Sequence, residues 1–373
     1  MQKIKPIIIK ANKFNLKSFA KKYKVTKVID NYKIQLEDLF LIRNPRYRFN
    51  KNYPKDFELF IKKFTKVKDL SQIGNWVYFP WNGYLVHYLP EKLHQEVRTA
   101  RNRDLITLKE QTKIYNSKIG IAGLSVGSNI FLALLLMGVG KYFKIADPDF
   151  IAPSNLNRMI FDFTWVGVNK AEALAYFAYQ LNPYLKIEIY DEGINEKNYK
   201  NFIKGLDIIV EELDDIEVKY KVREEAKKLK IPVVMATDNG DNVILDIERF
   251  DTDKNLEIFD GRLKGFDITE VKKSPQKLYE AMAKIIDLNL VPLRSLKSVL
   301  EVGKTLYSWP QLSTAAFISG GITAYCVRSI LLGKKIKTGK YDFNIEKILD
   351  QDHEKNELIR KKFLNKIRKL FNF

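Results

Sequence analysis

The chain predicts an α/β fold: a doubly wound, mainly parallel sheet preceded by an α+β extension. Three observations carry that prediction. Short apolar strands alternate with apolar-faced helices over about 120 residues, as successive βαβ units require. The first of those strands runs into a glycine turn and then a helix, a Rossmann-like opening. The stretch before it, 1–95, is rich in Lys, Tyr, Phe and Asn and contains no glycine-rich phosphate turn.

Within the alternating part, 118–122 forms the first strand, Gly123-Leu124-Ser125-Val126-Gly127 the turn, and 128–137 a buried helix. A second strand covers 143–147. The helix over 170–181 places Ala171, Leu174, Ala175, Ala178 and Leu181 on one face. Further strands cover 187–190, 207–210 and 233–236, and a helix over 218–229 turns Val218, Val222, Ala226 and Leu229 inward. Beyond Asp246 the rhythm weakens. Residues 274–286 and 315–332 read as helices, and Ser308-Trp309-Pro310-Gln311 as a loop.

In the extension, Trp76, Tyr78, Phe79, Trp81, Tyr84 and Tyr88 gather around Asn82-Gly83, a hairpin signal. Such a cluster either stacks on bases or packs a small core, and core is the expected use. The tail, 353–373, reads as a basic amphipathic helix with Ile359, Phe363, Ile367, Leu370 and Phe371 on one face. Seven lysines and arginines stand there against two glutamates. Packing against the body or a second subunit is expected, with a membrane surface as the alternative.

At 373 residues, one large domain with an appendage or two domains are expected. The natural divisions are an accessory region 1–95, a main domain 96–340 and the tail 341–373. A single cysteine, Cys326, excludes a disulfide framework and any CxxC zinc pair. His87 and His94 match no ligand spacing and His353 is remote, so neither a zinc nor a histidine-based metal site is expected. The start, MQKIKPIIIK, lacks a cleavable leader, and the apolar stretch 130–139 is half of what a spanning helix needs. A cytoplasmic protein with no transmembrane segment is therefore expected. The formal charge of +19 favours phosphate-bearing partners, or reflects no more than a lysine-rich surface.

The chemistry is concentrated after the second strand. A strand, a glycine turn and a helix direct backbone N–H groups and a positive helix end at an anion, though GLSVGS is weak evidence alone. Asp147 closes the second strand, where a carboxylate accepts from ribose hydroxyls of NAD or ATP alike; Asp149 follows it. Then come Ser154, Asn155, Asn157 and Arg158. That arginine sits among Leu156, Met159, Ile160 and Phe161, where burial without an anion would be costly. Lys170 opens the next helix, supplying a second cation or a merely exposed lysine. Asp214 and Asp215 follow the strand over 207–210, on the ligand side of the sheet, where one can hold magnesium or both can form a solvated loop.

This constellation resembles the ThiF/MoeB/E1-like adenylyltransferase superfamily, which includes the enzymes that activate ubiquitin-like proteins. The resemblance covers 98–249 and more loosely extends to 333. It implies that Asp147 binds ribose, that Ser154-Asn155-Leu156-Asn157-Arg158 is the family's SNLxR phosphate run, and that Lys170 is its phosphate-binding lysine. It further implies that Asp214 is the magnesium aspartate, and that Arg101, within Arg98-Thr99-Ala100-Arg101, reaches a second subunit's nucleotide in a homodimer. Three departures stand out. Ser125 occupies a glycine position in the phosphate turn, the zinc CxxC pairs are absent, and no cysteine lies in the crossover region after the last Rossmann strand. The aromatic segment, the RxxRNR run and Ser308-Trp309-Pro310-Gln311 look like a bacterial branch of which some members carry a nitroreductase-like domain. The resemblance implies ATP-dependent adenylation of a carboxylate (a peptide C-terminus, a small molecule or a modified tRNA base) without a thioester step. The alternatives are a non-catalytic scaffold of the same fold and an NAD-dependent oxidoreductase, which would leave the SNLNR run unused.

Overall fold

The structure, a computed structural model, describes residues 5–66 and 69–371; for 275 and 369–371 it describes the backbone alone. Met1, Gln2, Lys3 and Ile4 of the opening run lie outside the described residues. The chain divides into two compact units. One holds residues up to Thr112 with Leu136–Gly138 and Ala175–Leu185; the other holds Lys113–Leu135, Val139–Leu174 and the rest from Lys186.

The first unit is built on a four-stranded sheet of β1 (Ile7–Lys10), β2 (Lys27–Ile29), β3 (Asn75–Phe79) and β4 (Tyr84–Tyr88), in the order β1-β3-β4-β2. The hairpin expected at Asn82-Gly83 is the antiparallel β3–β4 pair, with Trp76 opposite His87. Gly83 has φ of +74°, and a Cβ there would lie 2.8 Å from the Lys24 carbonyl oxygen, so the turn needs glycine. Helices α1 (Leu16–Lys22), α2 (Tyr32–Arg43), α3 (Pro54–Thr65) and α4 (Glu91–Arg98) complete the unit. The aromatic segment is core: Trp76, Tyr78 and Phe79 are buried. His87 is buried too, stacked between Tyr32 and Trp76, with one ring nitrogen on Asp30 and the other on the Ile73 carbonyl. It is a packed core residue.

Helix α5 (Leu108–Tyr115) leads to β5 (Lys118–Ala122), α6 (Val126–Leu136) and β6 (Tyr142–Ala146). Then follow α7 (Lys170–Leu181), β7 (Lys186–Tyr190), α8 (Tyr199–Ile203), β8 (Ile208–Glu211), α9 (Ile216–Lys228), β9 (Val233–Asn239) and β10 (Asn242–Glu248). The last part contains α10 (Pro275–Ile286), α11 (Leu293–Val299), α12 (Ser313–Leu331), β11 (Gly339–Phe343), α13 (Ile345–Leu349) and α14 (His353–Phe371). The seven-stranded sheet has the order β11-β10-β9-β8-β5-β6-β7. Strands β5 to β9 are parallel, while β10 and β11 add antiparallel pairs at one edge. From β5 the chain steps outward to β6 and β7, then returns to β8 on the other side. That reversal opens a crevice above the carboxyl ends of β5 and β8.

The doubly wound core matches expectation, and three details correct it. The sheet has an antiparallel edge that the alternation did not reveal. It arises because β9 runs past 236 to Asn239 and turns back through Gly240 (φ +71°) into β10. Leu229, expected inward, is 45% exposed, because α9 ends at Lys228 and the chain turns left-handed at Lys230. In the tail, Leu364 and Ile367 are buried against Val291 and Leu296, whereas Ile359 is 46% exposed. The side chains of Leu370 and Phe371 lie outside the described residues. Helix α12 is long and apolar enough to cross a membrane, but over half of its apolar window is buried and it packs on β9 and β10, as a core helix does.

Candidate functional site

The glycine turn after β5 is tightly built. Gly123 has φ of +87°, and a Cβ there would sit 2.1 Å from the Glu212 carbonyl oxygen, so any other residue would drive the turn off β8. Gly127 needs no special φ; its Cβ would lie 3.1 Å from Ile121, so it permits close packing of helix on strand. Helix α6 begins at Val126, two residues earlier than the sequence suggests. Its first amides therefore open directly at the turn, where Ser128 Oγ also donates to the Ser125 carbonyl at 2.8 Å.

Asp147 lies just beyond β6 and is buried. Both carboxylate oxygens accept backbone hydrogen bonds, from Leu124 N at 2.7 Å and Asp149 N at 2.9 Å. It ties the glycine turn to the strand end. Lys170 Nζ stands 2.8 Å from Asp149 Oδ2 and 3.6 Å from Asp147 Oδ1. Burial raises the Asp147 carboxyl above its usual range, and the Lys170 charge pulls it back. Lys170 is itself buried, so the exposed-lysine alternative is wrong. Asn169 caps α7 through Ala171 N, and its amide bonds the Asp147 carbonyl, which fixes the lysine at a helix end where cations are otherwise disfavoured.

The polar run after β6 delivers Arg158. A short 3-10 turn, Pro153–Asn155, is closed by Asn155 Oδ1, which accepts from Ala152 N at 3.0 Å. Ser154 is exposed and offers its carbonyl to Arg158 Nη1 at 3.1 Å. Arg158 Nε donates to Ser125 Oγ at 3.0 Å, joining the run to the glycine turn, and Nη1 also meets Asn157 Oδ1 at 2.8 Å. Ser125, a departure from glycine, thus supplies an acceptor. Every one of these acceptors is neutral, and among the described residues no carboxylate comes within salt-bridge distance of Arg158. Burial disfavours its charge and nearby Asp238 favours it.

At the carboxyl end of β8 and in the loop after it the carboxylates divide by role. Glu211 is fully buried, and its Oε1 accepts from Leu213 N at 2.6 Å, holding the backbone one residue before Asp214. Glu212 Oε1 accepts from Ala236 N at 2.7 Å, and burial holds its carboxyl well above the usual range. Asp215 caps α9 through Glu217 N and Val218 N. Asp214 is exposed, two residues past the Glu212 backbone that Gly123 rests on. A lone carboxylate suits Mg2+, which takes one or two protein oxygens and completes its shell with phosphate and water. Among the described residues no three His, Cys, Asp or Glu converge as a metal cage.

Gly123, Ser125, Gly127, Asp147, Asp149, Ser154, Asn155, Arg158 and Lys170 thus form one connected surface, with Asp214 on the neighbouring strand end. Arg101 belongs to the other unit, exposed in the turn Ala100–Asn102. Sequence reasoning missed Asp238. It lies in the part of β9 that overhangs β8, and Ser319 Oγ of α12 donates to its Oδ1 at 2.9 Å. The signal that could have found it is Asn239-Gly240, a hairpin dipeptide that extends β9 into the crevice.

Comparison with known proteins agrees with this geometry. The sequence profile described as the ThiF family matches residues 99–286. A Mycobacterium tuberculosis protein, "Uncharacterized protein MT1398", is 33% identical over 76% of this chain and 39% of its own length. The Candida albicans "Adenylyltransferase and sulfurtransferase UBA4" is 31% identical over 32% of this chain and 27% of its own. The chain therefore spans well under half of either relative. The solved E. coli tRNA N6-threonylcarbamoyladenosine dehydratase covers 64% of this chain and 95% of its own at 18% identity, with a TM-score of 0.46, too loose a likeness to carry a chemical argument. The profile match over half the chain and the mycobacterial likeness over three quarters of it agree with the turn, the SNLNR run and the buried lysine: the chain belongs to the ThiF family.

Proposed function

We propose that the protein adenylates a substrate carboxylate with ATP, releasing pyrophosphate, without passing through a thioester. The observation that carries this reading is Arg158: a half-buried guanidinium fixed on the glycine turn by neutral acceptors, with no carboxylate within salt-bridge distance among the described residues. A site with that surplus charge suits the triphosphate of ATP.

The triphosphate lies over the amides of the glycine turn and the first turn of α6, flanked by Arg158 and Lys170, with Asp147 or Asp149 accepting from the ribose. Asp214 would hold Mg2+, which would neutralise phosphate charge. A carboxylate oxygen of the substrate attacks the α-phosphorus, the bond to the bridging oxygen breaks, and pyrophosphate leaves. The nucleophile is already ionised, so this step rests on positioning and charge. Arg101 of a second copy completes the site in a homodimer. The main domain, 96–340, performs the chemistry, and 1–95 and the tail serve substrate recognition or packing, in the cytoplasm. Cys326, the sole cysteine, is buried within α12 with its thiol pushed up to about 11, which argues against a thioester. The substrate is a peptide C-terminus, a small acid or a modified tRNA base; the charge of +19 gives the last some weight.

ATP–pyrophosphate exchange across a panel of such carboxylates tests the reading. Exchange that depends on a carboxylate and on Mg2+ supports it. Nucleotide binding without exchange would indicate a scaffold instead.

A further inference from the structure

Asp238 is the crevice carboxylate that the adenylation step leaves without a task. It stands on β9 beyond the end of β8: the two strands pair at Ile209 with Val233 and Val210 with Val234, and β9 runs on past that pairing. Its Oδ1 takes the Ser319 hydroxyl, while its Oδ2 is buried with no hydrogen-bond partner. A buried acceptor without a donor is costly, so a group that brings an N–H or O–H to it gains by binding there. The groups around it are Arg158 from the run after β6, Glu212 from the end of β8 and Ser319 from α12, with Val243 opposite on β10. Arg158 is the side chain that also touches the glycine turn, so Asp238 borders the phosphate side of the crevice.

We infer that Asp238 is the general base of a second half-reaction, in which an amine accepts the acyl group from the adenylate. This rests on the adenylation reading above. The amine nitrogen, oriented by an N–H donated to Asp238 Oδ2, attacks the acyl carbon. A C–N bond forms, the acyl C–O bond to phosphate breaks, AMP leaves, and the proton from nitrogen passes to Oδ2. An amine suits this acceptor: once bonded to carbon it is strongly acidic, so a carboxylate suffices as its base. Burial pushes the Asp238 carboxyl up to about 6, against the pull of the Ser319 hydrogen bond and the Arg158 charge. Ionised above that pH, it is matched to proton transfer near neutrality. Glu212, whose carboxyl burial raises well above its usual range, is already engaged by the Ala236 amide.

The test separates the two half-reactions in the full-length protein, with a panel of peptides and small acids bearing free carboxylates, ATP and Mg2+. Exchange reports the first half, and AMP release with glycinamide as amine reports the second. Asp238→Asn is expected to lower glycinamide-dependent AMP release about 100-fold more than it lowers exchange. Hydroxylamine, a strong nucleophile at neutral pH, restores AMP release in that variant. Ser319→Ala keeps the base but removes the hydrogen bond that lowers its pKa, so the pH midpoint of glycinamide transfer moves upward. Equal losses in both halves, or an unmoved midpoint in Ser319→Ala, would overturn the assignment. If the wild type shows no exchange with any carboxylate, the adenylation reading falls first and takes this role with it.

Discussion

Two arginines of the larger unit have opposite surroundings. Arg223, on α9, is wholly buried between Glu211 and Glu248, with its guanidinium 4.1 Å from the centre of the Phe259 ring. Lys219 adds a second cation 3.0 Å from Glu211, and Glu248 also takes the Phe259 amide. Every charge in that cluster has an opposite within reach. Arg158, by contrast, has hydroxyl, carbonyl and amide acceptors and, among the described residues, no ion pair. A saturated arginine has nothing left to offer a ligand and acts as architecture. An arginine held in place but left uncompensated is prepared for an anion that arrives later.

The comparison is sharpest where each arginine is removed. Arg223→Ala leaves Glu211 and Glu248 buried with too little positive charge, and should cost about 3–5 kcal/mol in urea unfolding. Its effect on nucleotide binding should follow from the loss of folded protein. Arg158→Ala should do the reverse. Exchange falls about 100- to 1000-fold, as for loss of one donor to a developing charge, while stability changes by about 1 kcal/mol or less. If Arg158→Ala unfolds the protein, or Arg223→Ala leaves stability untouched, the division between the two collapses.

A smaller effect tests whether the uncompensated site is shared between copies. Neither Arg101→Ala nor Asp214→Ala should support exchange alone. If Arg101 acts in trans, a mixed dimer of the two variants contains one intact site. Random mixing then restores about a quarter of wild-type exchange. No recovery after unfolding and refolding the mixture together would rule out a contribution of Arg101 to the partner's site.

What could be read from residues alone follows the same contrast. The helix over 170–181 coincides with the observed α7, and the strand at 118–122 with β5, because apolar periodicity and turn glycines are local signals. Arg158 and Lys170 stand out in the sequence because a charge in apolar company, or at the wrong end of a helix, needs a reason, and Asp214 because it follows the carboxyl end of a parallel strand. Arg223 and Glu248 look in sequence like ordinary surface residues of α9 and β10, since their partners come from distant strands. Asp238 was hidden for a related reason: its meaning depends on how far β9 overhangs β8, which register decides. The first unit's sheet, with β2 parallel to β4 across more than fifty residues, likewise depends on pairing that no local pattern announces.

Asp238 extends the comparison to acids, and the sign of its effect can be worked out. Its carboxyl titrates near 6 in the folded chain, against an ordinary aspartate value near 3.8. Between those values the folded state holds the proton that the unfolded state has already released. Stability therefore falls as pH rises from about 4 to 6, and above 6 the ionised group is a standing cost of up to about 2–3 kcal/mol. Asp238→Asn removes the titration and keeps an acceptor for Ser319. The variant should therefore match the wild type near pH 4 and be more stable at pH 7, by less than that limit because of solvent screening. Urea unfolding at both pH values measures the difference. Glu211, whose lowered carboxyl is matched by Lys219 and Arg223, should show the opposite slope: its contribution is present above its ordinary value and lost as pH falls below it. A carboxylate that weakens the fold at neutral pH, beside one that strengthens it, is what a stability–activity trade-off at a working site predicts. A wild type that outlasts Asp238→Asn at pH 7 would instead make Asp238 part of the architecture.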